Sequence, residues 1–243
     1  MVLRPAAAMA GVLVTRPEAD AAELAEALRR RGHTPLIEPL LDIRFTGTEP
    51  LDLTGVQALV FTSANGVRAA AGRTHIRDLP VHAVGRKTAD AARQAGFVHV
   101  TAAAGDGQAL AADLTRMIDP AKGRLLHVGG AAVAVDIGAL LRPHGINLTR
   151  VVGYEAVAAG TLSAASLDAL DQGLIGYAMF FSPRTARTFA SLLTSHGRQA
   201  ACARITALCL SAAVAAGLDG LRFQEVRTAD RMEAEAMLEL LPG

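Results

Sequence analysis

Hydrophobic residues along this chain form short apolar runs that alternate with segments of helical periodicity. The runs at 11–14, 58–61, 125–128 and 177–181 have the composition of buried strands. Between such runs, apolar residues recur every three or four positions, as expected for helices that cover a sheet. The alternation predicts an α/β fold built on doubly wound parallel sheets.

Three kinds of unit follow one another along the chain and then return in the same order. Unit A is a strand, a helix and a second strand, unit B is a strand ending in hydroxyl residues, and unit C is a strand ending in a turn. In chain order they lie at 11–45 (A), around Phe-Thr-Ser at 61–63 (B), around Gly-Arg-Lys-Thr at 85–88 (C), and again at 123–157 (A), 177–195 (B) and 204–228 (C). The repeat predicts two similar domains.

Both A units end in strands that run outward, near 41–45 and 154–158. We therefore expect the chain to cross twice between the domains, so that one domain is discontinuous. The predicted ranges are 1–41 with 160–243 for the first domain, 51–150 for the second, and 42–50 and 151–159 for two linker strands.

The composition argues against several classes of function. The chain has 243 residues, 51% of them hydrophobic, which is ample for buried cores. A formal net charge of +1 and the lack of a Lys/Arg cluster argue against a nucleic-acid surface. Cys202 and Cys209 form no C-x-x-C pair. Residues 1–10 are too short an apolar segment for a signal peptide, and no run suits a membrane span, so we expect a cytoplasmic protein.

Hydroxyl and arginine side chains follow the predicted strands in both halves. Parallel strands gather their carboxyl ends on one edge of a sheet, where helix N-termini favour anions. Each residue alone could be a helix cap, but their recurrence predicts anion binding. These candidate ligand-binding residues are Thr15, Arg16, Thr62, Ser63, Thr88, Ser182, Arg184 and Ser211.

Common catalytic motifs are missing from the sequence. The segment at 85–88 is not a phosphate loop, because the first glycine of that motif would fall at Pro80 and Arg86 separates Gly85 from the lysine. What remains there is a turn that presents N–H groups and the Thr88 hydroxyl, or a plain helix cap. No G-x-S-x-G, H-E-x-x-H or C-x-x-C motif occurs, which disfavours hydrolytic, metal and redox chemistry.

Tyr154, one of two tyrosines, lies at the predicted crossing between the domains. From the residues alone it could pack between the domains or act in a reaction. The chain also carries, in this order, Thr-Arg-Pro at 15–17, Phe-Thr-Ser-Ala-Asn-Gly-Val at 61–67, Val-Gly-Arg-Lys-Thr-Ala at 84–89, Val-Gly-Tyr at 152–154 and Phe-Phe-Ser-Pro-Arg-Thr at 180–185. In order and spacing, over nearly the whole chain, these motifs resemble the uroporphyrinogen-III synthase family.

The resemblance implies two α/β domains joined by a two-stranded ladder, with the active site between them. Such enzymes close hydroxymethylbilane, a linear tetrapyrrole rich in carboxylates, into a macrocycle with inversion of ring D and loss of water. It further implies no metal or organic cofactor. We expect a monomer whose partner is this small anionic substrate, with no nucleic acid or membrane.

The resemblance also assigns roles to individual residues. Tyr154 matches the family's tyrosine, which assists departure of the substrate hydroxyl as a hydrogen-bond donor. Its cleft-lining hydroxyl positions are matched by Thr62, Ser63, Thr88, Ser182 and Ser211.

Two segments depart from the family pattern. His-Val-Gly-Gly at 127–130 stands where relatives often place an arginine before the glycine, and Cys-Leu-Ser at 209–211 stands where others have Gly-Pro-Thr. An alternative function is a non-catalytic two-domain module that binds an anionic ligand or senses it. A nucleotide-dependent transferase is disfavoured, because no dinucleotide fingerprint follows any strand.

Overall fold

The computed structural model describes residues 11–231 and 233–242. Residues 1–10, for which the sequence disfavoured a signal peptide, lie outside this range. The chain forms two compact units: the first unit contains the residues up to Asp42 and from Val157 onward, and the second unit contains Ile43–Ala156.

Strands and helices alternate through the described residues. The strands are β1 Gly11–Val14, β2 Thr34–Ile37, β3 Leu41–Phe45, β4 Val56–Phe61, β5 Val81–Val84, β6 Val100–Ala103, β7 Arg124–Gly130, β8 Leu148–Ala158, β9 Ile175–Phe180, β10 Thr206–Cys209 and β11 Glu225–Thr228. The helices are α1 Glu18–Arg30, α2 Ala64–Ala71, α3 Gly85–Gln94, α4 Gly107–Met117, α5 Ile137–Leu141, α6 Ala164–Asp171, α7 Pro183–Ser195, α8 Ala212–Ala215 and α9 Ala234–Glu239.

Each unit is built on its own sheet. The first sheet has the order β11-β10-β9-β1-β2, and the second has the order β3-β8-β7-β4-β5-β6. The pairs along the first sheet are parallel, as are those from β8 to β6 in the second. The prediction of an α/β fold with parallel sheets is confirmed.

The two sheets repeat one strand order. Unit A supplies β1 and β2 to the first sheet, and the later unit A supplies β7 and β8 to the second. Read from the second strand of unit A, the first sheet runs β2-β1-β9-β10-β11 and the second runs β8-β7-β4-β5-β6. The order is that of a doubly wound sheet whose crossover direction reverses between the first strand of unit A and the strand of unit B. In the second unit the same order is circularly permuted, since its A unit comes last in the chain.

Apolar side chains leave each sheet on both faces, as a doubly wound sheet requires. On β1, Leu13 belongs to one hydrophobic cluster of the first unit while Val12 and Val14 belong to another. On β4, Phe61 belongs to one hydrophobic cluster of the second unit and Val60 belongs to the other. The alternation of side chains along a strand therefore fills two cores per unit.

Three strand boundaries differ from what the residue pattern predicts. The pattern predicts a strand at 98–100, but β6 begins at Val100, because Val98 is 69% exposed and its N–H donates to the carbonyl of Arg77. The pattern predicts a strand from 33 to 40, but β2 ends at Ile37, although the N–H of Glu38 still donates to the carbonyl of Val14. The segments predicted as a strand and its outward extension form one strand, β8.

The strand β3 lies beside β8 at the edge of the second sheet. The N–H of Thr46 donates to the carbonyl of Gly153, and the N–H of Ala159 donates to that of Leu40. The two strands therefore run in opposite directions. The predicted domain and linker ranges stay a prediction.

None of the helices in the described part of the chain is long and apolar enough to cross a membrane.

Candidate functional site

The candidate residues gather where the crossover direction reverses. In open α/β sheets ligands bind outside the carboxyl ends of the strands at this switch point. In the second unit the switch point lies between β7 and β4, and Thr62 and Ser63 follow β4. In the first unit it lies between β1 and β9, where Thr15 and Arg16 follow β1 and Ser182 lies just beyond β9.

Ser63 caps a helix and also contacts Tyr154. It is the N-cap of α2, and its Oγ accepts the N–H of Gly66 at 3.1 Å. The same Oγ lies 2.8 Å from the hydroxyl oxygen of Tyr154, a half-buried side chain of β8. The structure thus brings together two residues that are far apart in sequence, and it places the phenol at a helix N-terminus.

The strand β7 separates β8 from β4, so the Tyr154 ring has to cross it to reach Ser63. Gly130 on β7 is paired with Tyr154 and makes this crossing possible. A Cβ atom on Gly130 would lie 2.8 Å from Cζ of the tyrosine and 3.0 Å from its hydroxyl oxygen. Any other residue at this position would push the ring out of place.

Thr62 has a partner of its own on β7. Its Oγ1 lies 3.2 Å from Nε2 of His127, a side chain that is 5% exposed. The pKa of His127 is lowered from 6.5 to about 4, mainly by burial and also by Arg150, while Asp136 acts in the opposite direction. The imidazole is therefore neutral near pH 7.

Gly129 makes room for this imidazole. A Cβ atom there would lie 2.8 Å from Nε2 of His127. At the end of β7, Gly129 thus faces the ring of His127, and Gly130 faces the ring of Tyr154. The Gly-Gly pair, which sequence reasoning noted only as a departure from the family pattern, is a steric requirement of the site.

At the switch point of the first unit, Thr15 is completely buried and its hydroxyl donates to the carbonyl of Met179 at 2.7 Å. The single proton of that hydroxyl is engaged between β1 and β9. Thr15 therefore joins the two strands, and its proton is not available to a ligand.

Arg16 lies at the same edge. Its guanidinium stacks over the ring of Phe181 at 4.5 Å and lies 4.0 Å from the carboxylate of Asp20. Burial lowers the pKa of Arg16 below its ordinary value, while Asp20 and then Glu23 raise it. A stacked, partly desolvated guanidinium is a strong partner for a carboxylate.

Ser182 caps α7, where its Oγ accepts the N–H of Thr185 at 3.1 Å. The two hydroxyl groups lie 2.7 Å apart. Arg184 is exposed in the first turn of the same helix. This helix start offers N–H groups, a hydroxyl and a guanidinium at one edge of the first sheet.

The two remaining candidates lie one strand further out in each sheet. Ser211 caps α8 after β10, and the N–H of Val214 donates to its Oγ at 3.4 Å. Thr88 is not a cap, so the plain helix cap, one of the two sequence readings of this turn, is wrong: α3 begins at Gly85, and Thr88 lies one turn into the helix and is 6% exposed.

The sequence model of the family described as uroporphyrinogen-III synthase HemD matches residues 22–239. The chain belongs to the uroporphyrinogen-III synthase family. This membership confirms the resemblance found in the sequence, and the family consists of enzymes that cyclise hydroxymethylbilane.

The chain is also similar to solved structures. The uroporphyrinogen-III synthetase of Helicobacter pylori is 18% identical, with a TM-score of 0.65 over 96% of this chain and 98% of that one. A mutant uroporphyrinogen III synthase from Thermus thermophilus is 17% identical, with a TM-score of 0.49 over 95% and 96% of the two chains. The first of these likenesses supports the α/β architecture. A comparison with curated proteins gave no match.

Sequence reasoning missed two residues that matter at these edges. In the sequence, His127 stands out only as part of a departure from the family pattern, and Phe181 only as part of an apolar run. A polar residue within an apolar strand that leads into two glycines was the available sign for His127. Phe181 gave no such sign, because its contact with Arg16 depends on the pairing of β1 with β9. Among the described residues, no group of three or more His, Cys, Asp or Glu side chains could hold a metal ion.

Proposed function

We propose that this chain closes hydroxymethylbilane to uroporphyrinogen III, with inversion of ring D and loss of water, and that Tyr154 assists departure of the hydroxyl. The observation that carries the proposal is the 2.8 Å contact between the hydroxyl groups of Tyr154 and Ser63 at a helix N-terminus. Family membership supplies the reaction, and this contact supports a phenol that is held in place at a helix start.

Either hydroxyl can be the donor in this contact, because the Ser63 oxygen keeps a lone pair after it accepts the N–H of Gly66. We propose the arrangement in which the serine proton is donated to the tyrosine oxygen, so that the tyrosine proton points to the substrate. Successive hydrogen bonds of this kind polarise one another, so the phenol becomes a better donor than it is alone. A stronger donor stabilises the negative charge that develops on the departing hydroxyl oxygen.

We further propose that substrate carboxylates bind at the helix starts and at Arg16. The helix starts capped by Ser63, Ser182 and Ser211 present backbone N–H groups, Ser182 and Ser211 add hydroxyls, and Arg16 and Arg184 add positive charge. Thr62 and Thr88 complete the set of ligand candidates. Distributed contacts suit a substrate with carboxylates along its length, because each one fixes a part of the chain and together they steer the ring closure.

We also propose that the two units act as the two predicted domains, 1–41 with 160–243 and 51–150, and that the protein is a cytoplasmic monomer. Support for a reducing compartment comes from Cys202 and Cys209, both of which are buried free thiols.

Resolution of the product isomers tests the proposed function. Freshly made hydroxymethylbilane should yield uroporphyrinogen III with the protein and the non-inverted isomer without it. Formation of the non-inverted isomer alone, at the spontaneous rate, contradicts the proposal. If the protein nevertheless bound the product in a titration, the non-catalytic binding module would be the better account.

The two serine caps provide a matched comparison. Ser63→Ala and Ser182→Ala each remove an N-cap and should each lower the free energy of unfolding by about 1 kcal/mol. Only Ser63 contacts Tyr154, so its loss should reduce kcat about tenfold, the value of one net hydrogen bond. Ser182→Ala should raise KM several-fold and leave kcat within about twofold. Equal kcat values for the two variants in steady-state assays contradict the proposed link from Ser63 to the phenol.

A further inference from the structure

His127 is a buried histidine to which the proposed reaction gives no role. It lies on β7, beside the strand that leads into Thr62, and its Nε2 is 3.2 Å from the threonine hydroxyl. Gly129 leaves space for the ring at Nε2, which fixes the ring edge that meets Thr62. Thr62 in turn immediately precedes Ser63, the cap that contacts Tyr154.

The charged groups around the imidazole determine its protonation. Arg150, on β8, disfavours a second proton, and Asp136, the N-cap of α5, favours one. The guanidinium of Arg150 donates to the carbonyls of Gly130 and Ala131 at the end of β7, so its charge is held near the ring. With burial added, the ring carries one proton near pH 7, on either Nε2 or Nδ1.

The two tautomers reverse the direction of the hydrogen bond between His127 and Thr62. With the proton on Nδ1, Nε2 accepts the threonine proton, and the threonine oxygen offers only lone pairs to a ligand. With the proton on Nε2, the ring donates to the threonine oxygen, and the threonine proton is free for a ligand. Only the second arrangement attracts a carboxylate.

We infer that His127 is a positioning residue that donates from Nε2–H to Thr62 and thereby turns the Thr62 hydroxyl toward a substrate carboxylate. The inference rests on the proposed function for the identity of the ligand. The polarity of the pair is a property of the free protein and can be measured without substrate.

The tautomer is read from long-range ¹H–¹⁵N spectra of the full-length protein labelled with ¹⁵N-histidine, recorded near pH 7. His127→Gln identifies the signals of His127 by their disappearance. We expect one pyrrole-like Nε2 and one pyridine-like Nδ1. The reverse pattern, or a doubly protonated ring, overturns the inference whether or not the protein is an active synthase.

Kinetics test the effect on the substrate. His127→Leu keeps apolar bulk but cannot donate, so KM should rise about fivefold to tenfold with kcat within about twofold. His127→Gln can donate from its amide and should recover most of the lost affinity. In a Thr62→Val background, which lacks the hydroxyl, His127→Leu should have no further effect, because both changes break one interaction.

Thermal unfolding of each variant separates this role from a structural one. The inference is contradicted if the effects of His127→Leu and Thr62→Val on KM are additive. It is also contradicted if KM rises in the variants that lose stability and not in those that lose hydrogen-bonding capacity. A protein that forms none of the inverted isomer contradicts the proposed function instead, and the spectra of the free protein still decide the tautomer.

Discussion

Tyr154→Phe should reduce kcat about 10- to 100-fold while the residual product remains the inverted isomer. The change keeps the ring that crosses Gly130 and removes only the hydroxyl that Ser63 orients. General acid assistance is worth roughly 10² to 10⁴ in rate, and the expected loss lies at the lower end of this range because the carboxylate contacts remain. The inverted product should persist because the carboxylate contacts, not the phenol, steer the closure. Rapid product analysis with each variant measures both quantities.

Tyr177 provides the control, since it is the second tyrosine and lies on β9 of the first unit. Tyr177→Phe also removes one phenol hydroxyl and should leave kcat within about twofold. Parent-like turnover by Tyr154→Phe would return this residue to a packing role. Loss of isomer selectivity would show that the phenol also guides ring D.

Gly66→Ala should lower the free energy of unfolding by about 2 kcal/mol or more. Gly66 lies in the first turn of α2, and an added Cβ would clash with the carbonyl oxygen of Val128. That oxygen belongs to the backbone of β7 and cannot rotate away, so the helix has to shift. The higher helix propensity of alanine, worth up to about 1 kcal/mol, offsets only part of this cost. The expected fall in Tm is about 4–8 °C, measured by calorimetry.

Gly72→Ala is the matched control at the other end of the same helix. Gly72 has φ −75°, which alanine adopts freely, and its nearest neighbours for a Cβ are at 3.7 and 4.0 Å. It should be neutral or add about 0.4–1 kcal/mol of stability. If Gly66→Ala unfolds at the same temperature as Gly72→Ala, the close packing of α2 on β7 is wrong. Because the Gly66 N–H also donates to Ser63, Gly66→Ala should lower kcat as well.

The fold followed from the sequence because its evidence is local. Continuous apolar runs and helical stripes at period 3.6 identified the strands and helices, and the recurrence of the units A, B and C identified the repeat that the two sheets share. The ends of strands were less certain, as β6 shows, since the position of Val98 depends on its hydrogen bond to the distant Arg77 carbonyl.

The site could be predicted only as a set of residue types. Post-strand positions put Ser63 and Ser182 at helix starts, and the structure places both as N-caps. From sequence the two serines are equivalent, and contact with Tyr154 distinguishes them. The same reasoning assigned Thr15 to ligand binding, whereas its hydroxyl serves the pairing of β1 with β9.

The sequence by itself determined the alternating elements, the repeat and the family, because these depend on residue order and on side-chain patterns a few positions apart. Only the tertiary structure decided which hydroxyls meet. The Tyr154 ring crosses β7 over Gly130, and His127 reaches Thr62 beside Gly129, because the order β8-β7-β4 brings segments from three parts of the chain together. Strand order is set by packing over the whole sheet, so no local pattern contains it.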